Sequence, residues 1–174
     1  VLERMEAGET MEQAVAEARR AGVAESDPSH DLEGWDAAAK LAILATVLLD
    51  GDLSPLDVER TGIAALDPEE VRGVRRQGRR VKLVCRARRQ DGGVRATVAP
   101  ERLDGDDPLA RHGGAGSVLR IETDLMGPIL VQQESPTLRD TAYGVLNDLL
   151  AVVRGDGGSS PSREPPPPQG RQRP

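Results

Sequence analysis

The chain has 174 residues, a formal net charge of -6 and a pI near 5.0, so its overall field does not attract nucleic acid or an anionic membrane surface. A single cysteine, Cys85, excludes an internal disulfide, and the longest near-apolar run, Leu41 to Leu49, is about half of what a bilayer crossing requires. A chain of this length buries about 68–70% of its unfolded surface, enough to fold without metal or disulfide, and the reading is a cytoplasmic protein with one main domain.

Residues Val1 to Ala7 read as the end of a helix closed by Gly8. Thr10 and Gln13 form a capping box for a helix over Met11 to Arg20, stopped by Gly22. From Val23 to Glu33 the chain carries Glu25, Asp27, Asp31 and Glu33, and Asp27-Pro28 interrupts it, because proline disfavours α geometry in the residue before it. This acidic stretch is predicted to fold back as a loop. Gly34-Trp35 then leads into DAAAKLAILATVLL, whose alanines and leucines give the strongest helix signal in the chain. On that helix Asp36 and Lys40 stand at i and i+4, neighbours on a face that continues as Ile43, Leu44 and Val47.

Gly51-Asp52 breaks the chain, Ser54-Pro55 starts a turn, and Asp57 to Thr61 is predicted to be helical. Asp67 as cap, Pro68 at the first helical position and Glu69-Glu70 in the first turn mark a helix that runs to Arg76 or Gln77, with Gly78 as its stop. From Arg80 the period alternates: Val81, Leu83, Cys85 and Ala87 point to a core and Lys82, Val84, Arg86 and Arg88 away from it. On this pattern Cys85 is a buried thiol in a reducing compartment. Asp91-Gly92-Gly93 is a hairpin turn returning through Val94, Ala96 and Val98. Pro100 to Gly116 reads as irregular, Ser117 to Thr123 pairs with Met126 to Gln132 across Asp124-Leu125, and Thr141 to Val153 is an amphipathic helix with Ala142, Val145, Leu146, Leu149 and Val153 on one side.

The expected architecture is α+β, a mixed or antiparallel sheet covered by helices. It occupies 1–154, and the Pro/Gly/Ser-rich stretch 155–174 reads as a disordered tail.

Several motifs carry no chemistry. The basic run Arg72 to Arg89 crosses a helix end and a strand, so its charges fall on different faces and form no nucleic-acid patch. His30 and His112 lack partners at zinc-ligand spacing, and no G-x-S-x-G is present. Gly113-Gly114-Ala115-Gly116 precedes a strand rather than a helix, so it is a loop and not a dinucleotide fingerprint. By spacing alone, Asp36 and Lys40 are a surface pair contributing about 0.3–0.5 kcal/mol.

The pattern E-S-D-P-x-x-D-L-E-G-W-D-x-x-x-K, over Glu25 to Lys40, resembles the substrate loop and catalytic helix of homoserine dehydrogenases, with Glu25, Asp31, Asp36 and Lys40 at matching separations. The resemblance continues in order through Met5 to Gly8, MEQAVAEARRAG, DVERTGI (Asp57 to Ile63), RRVKLVCRA (Arg79 to Ala87), VAPERL (Val98 to Leu103), Asp107 to Ala110 and TAYGVLNDL (Thr141 to Leu149), covering about Val1 to Arg154. It implies the family's catalytic and dimerisation domain, which interconverts L-homoserine and L-aspartate 4-semialdehyde on the route to threonine, methionine and isoleucine. Lys40 would be the acid/base, Asp36 its holder, and Glu25 and Asp31 the contacts to the substrate ammonium.

The family's N-G-T-x-N-Y run and its dinucleotide-binding half have no counterpart in these residues. NADP or NAD is therefore expected to be bound mainly by a domain outside this chain, and a fragment is the expectation. The glycine-rich turn that the family places before Thr141 is replaced by Gln132 to Asp140, where Glu134 would repel a cofactor phosphate. The regulatory domain that often follows in the family is not matched either, which argues against feedback control through one. A homodimer formed through the sheet is expected, with no nucleic acid, membrane or metal partner. The alternative is a non-catalytic oligomerisation or binding module that keeps the same scaffold.

Overall fold

The computed structural model describes residues 1–22, 24, 27–114, 116–134 and 136–155. The residues fall into two compact units, Val1–Glu134 and Ser135–Pro174. Most of the expected tail lies outside the described residues, as do Val23, Glu25, Ser26 and Ala115.

The first unit begins with α1 (Leu2–Glu6) and α2 (Met11–Arg20). Thr10 and Gln13 form the expected capping box, the Gln13 N–H donating to Thr10 Oγ1 at 3.3 Å and the Thr10 N–H to Gln13 Oε1 at 2.9 Å. The acidic stretch is not loop throughout: α3 (Ser29–Leu32) forms a single turn, started by Asp27, whose Oδ1 accepts from the Ser29 N–H at 3.0 Å. Next comes α4 (Trp35–Leu49), closed by Asp50 in the left-handed region at φ 54°.

The helix expected over Asp57 to Thr61 does not form beyond Asp57. A short 3-10 turn over Pro55–Asp57 is capped by Ser54, and the chain then extends as β1 (Glu59–Arg60). Tertiary pairing overrides local propensity here, because β1 lies parallel to β3 (Gly93–Asp104), with Glu59 opposite Thr97 and Arg60 opposite Val98. The helix α5 (Pro68–Arg76) matches expectation, including the Asp67 cap on the Glu69 N–H at 2.9 Å. It is followed by β2 (Arg79–Gln90), which pairs antiparallel with β3 along its whole length around the Asp91-Gly92 turn. The three strands form a mixed sheet in the order β1-β3-β2.

β3 continues beyond Pro100, which the sequence reading made irregular. Proline is tolerated because, among the described residues, the side of β3 away from β2 has no strand partner beyond Val98. After α6 (Pro108–Arg111), β4 (Ser117–Thr123) and β5 (Gly127–Gln133) form a separate antiparallel pair. In the second unit, α7 (Leu138–Arg154) has a capping box at Thr137 and Asp140.

Among the described residues, three clusters form the core. Ala38, Leu41 and Ala42 of α4 pack with Val58, Ala96 and Val98. Met5, Ala14, Val71, Val74 and Val81 join α1, α2 and α5 to β2. Val84, Leu103 and Ala110 pack α6 on the sheet. The last cluster corrects the one-sided reading of β2, since Val84 is buried on the face assigned to solvent. Cys85 is also corrected: the residue is exposed rather than buried, although its sulfur is turned toward Ala37 of α4. Arg80 ties α1 to α6, donating to Glu6 at 2.7 Å and to the Ala110 carbonyl at 3.1 Å.

Candidate active site

The site is built on the start of α4. Gly34 occupies the left-handed region at φ 81°, and a Cβ there would lie 3.4 Å from Val98 Cγ1, so glycine lets the turn settle on the sheet before the helix begins. One residue on, Trp35 is half-buried and receives the Arg60 guanidinium over its ring, 3.7 Å from the centroid.

Lys40 Nζ donates to Asp36 Oδ2 at 2.6 Å, as the i,i+4 spacing requires. The ammonium faces solvent, its side chain 71% exposed and that of Asp36 49%. The stripe beyond the pair is exposed too: Ile43 and Val47 point outward, while α4 turns Ala38, Leu41, Ala42 and Ala45 to the core. Between α4 and the following turn runs an open apolar groove of ≈ 300 Å³ lined by Ala39, Ile43, Thr46, Val47, Leu53 and Pro55. Lys40 therefore stands beside an open apolar face rather than inside a closed pocket.

Among the described candidate residues, the structure brings together Asp36 and Lys40. Asp31 is exposed on α3, and among the described residues no hydrogen bond or ion pair links it to the pair. Glu25 lies outside the described residues. Cys85 joins the neighbourhood unforeseen: its Sγ donates to the Ala37 carbonyl at 3.9 Å. Burial of its sulfur pushes the thiol pKa up, although the residue as a whole is exposed; Lys40 pulls it down and Asp36 pushes it up.

Sequence reasoning also missed Arg60, by placing it in a helix. Its guanidinium donates to the Glu33 carbonyl as well as covering Trp35.

The glycine loop offers no dinucleotide cradle. The Gly114 N–H already donates to Glu3 Oε2 at 3.2 Å, and a Cβ on Gly113 would lie 2.6 Å from Glu3 Oε1. Burial works against ionisation of Glu3, yet the Gly114 N–H and the Lys82 ammonium hold its carboxyl below the usual range. A loop whose donor faces a carboxylate does not fit a phosphate. Among the described residues no cluster of His, Cys, Asp and Glu is arranged to hold a metal ion, and no helix is long and apolar enough to cross a membrane.

The candidate site is thus a solvent-facing carboxylate–ammonium pair on the first turns of α4, carried by an α+β scaffold. Residues 1–150 match the family model for homoserine dehydrogenase, and the chain belongs to that family. It is 37% identical over 153 residues to an NAD(+)-dependent homoserine dehydrogenase from Pseudomonas canavaninivorans, covering 87% of this chain and 44% of that protein. The structure of a homoserine dehydrogenase from Thiobacillus denitrificans superposes with a TM-score of 0.80 at 32% identity, covering 94% of this chain and 38% of that one. A hyperthermophilic archaeal homoserine dehydrogenase mutant in complex with NADPH superposes with a TM-score of 0.66 at 27% identity, over 88% and 43% of the two chains. The chain thus spans less than half the length of these relatives.

Proposed function

We propose that this chain is the substrate-binding and proton-transfer portion of a cytoplasmic, NAD- or NADP-dependent homoserine dehydrogenase, interconverting L-homoserine and L-aspartate 4-semialdehyde on the route to threonine, methionine and isoleucine. The observation that carries the reading is the family match over residues 1–150, within which Lys40 and Asp36 pair at 2.6 Å on α4.

Lys40 as an ammonium donates a proton to the aldehyde oxygen while that oxygen gains negative charge; in reverse, neutral Lys40 accepts the alcohol proton, directly or through one water. Asp36 keeps the ammonium aimed. Glu25 and Asp31 are assigned to the ammonium of the amino-acid substrate, an attraction of opposite charges strengthened by hydrogen bonding. The dinucleotide, which supplies or accepts the hydride, is assigned to residues other than those described, because the glycine loop here is occupied by Glu3.

The test is to join this chain to the nucleotide-binding portion of a relative and follow L-homoserine-dependent reduction of NAD or NADP. Turnover that depends on both partners supports the reading; a folded fusion without turnover contradicts it.

A second reading, a non-catalytic oligomerisation or binding module, is favoured by one observation. Ile43 and Val47 of α4, with Ile129, Leu130 and Val131 of β5, leave apolar surface exposed of the kind that marks protein contacts. Both readings place a homodimer contact on the sheet. Only the first predicts that L-homoserine slows amide exchange around Asp36 and Lys40.

A further inference from the structure

We propose that Arg60 is the positioning residue of the candidate site, clamping the turn that carries Asp31 on one side and launches Asp36 and Lys40 on the other. The proposal rests on the functional reading above. Arg60 lies in β1, more than twenty residues beyond the segment it holds, so its two contacts fix a non-local geometry. Its guanidinium lies over the Trp35 ring at 3.7 Å and donates to the Glu33 carbonyl, spanning the junction of α3 and α4. The aliphatic part of the same side chain closes on Gly34: a Cβ there would meet Arg60 Cγ at 3.5 Å and Cδ at 3.7 Å.

The backbone beneath is equally committed. Thr61 N–H donates to the Val98 carbonyl at 2.8 Å, tying the segment to β3, and Ile63 N–H donates to the Leu32 carbonyl at 2.7 Å. Gly62 lies between these bonds, directly against the Leu32–Glu33 backbone. The turn is therefore held to the sheet from below by main chain and from the side by one arginine. A planar guanidinium suits this dual task, since it stacks and donates at once, whereas a lysine ammonium does one or the other well. Arg60 touches neither Asp36 nor Lys40 in the hydrogen-bond and ion-pair network, so its role is to place them, not to react.

The test uses the intact chain and two variants, Arg60→Ala and Arg60→Lys. Trp35 is the only tryptophan, so its emission reports the clamp directly, and amide exchange reports the turn. Loss of one cation–π contact and one hydrogen bond should speed exchange over 29–38 by about 10-fold in Arg60→Ala, with shifted Trp35 emission and unchanged exchange in β2 and β3. Arg60→Lys should fall between. In titrations followed by Trp35 emission, Arg60→Ala should bind L-homoserine more weakly, with Arg60→Lys partly restoring affinity. Unchanged exchange over 29–38, or acceleration spread equally through β2 and β3, overturns the clamp; unchanged L-homoserine affinity in Arg60→Ala overturns its positioning role. An unaltered chain that does not bind L-homoserine counts against the functional reading alone, and the exchange measurement still decides the clamp.

Discussion

Gly62 and Leu32 meet backbone to backbone: a Cβ on Gly62 would lie 2.3 Å from the Leu32 carbonyl oxygen and 2.5 Å from Glu33 Cα. No rotamer relieves such a clash, because main chain stands on both sides. Gly62→Ala is expected to force the two segments apart at a cost of about 1–3 kcal/mol, measured by urea unfolding. Gly73→Ala is the contrast. Gly73 lies inside α5 with only the mobile tip of Arg76 within 4 Å, at 3.8 Å, so alanine there should stabilise by about 0.5–1 kcal/mol through helix propensity.

The two faces of α4 should respond oppositely to truncation. Leu41 is 5% exposed and packs against Val58 and Val98, so Leu41→Ala should cost about 2–4 kcal/mol in the same assay. Val47 is 71% exposed, and Val47→Ala should stay within about 0.5 kcal/mol of the parent. A large loss at Val47 would mean that the outer face of α4 is covered in solution, as the binding-module reading requires.

Cys85 gives the pH dependence. Its thiol is pushed up mainly by burial of the sulfur, with Lys40 opposing and Asp36 adding to the shift. The thiolate is the reactive form, so the alkylation rate should rise with pH through a midpoint above that of a free thiol. A positive neighbour stabilises the thiolate. Lys40→Ala should therefore move the midpoint higher, and Asp36→Asn should move it lower. Since the chain has one cysteine, labelling with iodoacetamide reads this site alone. Equal midpoints in all three proteins would separate Cys85 from the pair.

What was legible in the sequence were the features set by local chemistry. The Thr10–Gln13 box, the Asp67-Pro68 helix start and the Asp91-Gly92 turn all act within a few residues, and all formed as expected. The same holds for the Asp36–Lys40 pair, which helical spacing alone brings together. What was not legible depended on distant partners. β1 is extended only because β3 offers it a ladder, and Val84 is buried only because α6 folds over the second face of the sheet. Arg60 was missed for the same reason, since its partners Glu33 and Trp35 are brought to it by that ladder rather than by sequence neighbours.

The central claim is that the Lys40 ammonium, held by Asp36, moves the proton on the substrate oxygen. The most direct measurement compares kcat for L-homoserine oxidation in Lys40→Ala and in the parent, each joined to the same nucleotide-binding portion, with thermal unfolding recorded alongside. Because Lys40 is exposed and its pair with Asp36 contributes little to folding, the melting temperature should hardly move, while kcat should fall by about 10²–10⁴-fold. A folded Lys40→Ala protein that turned over L-homoserine at the parental rate would contradict the claim.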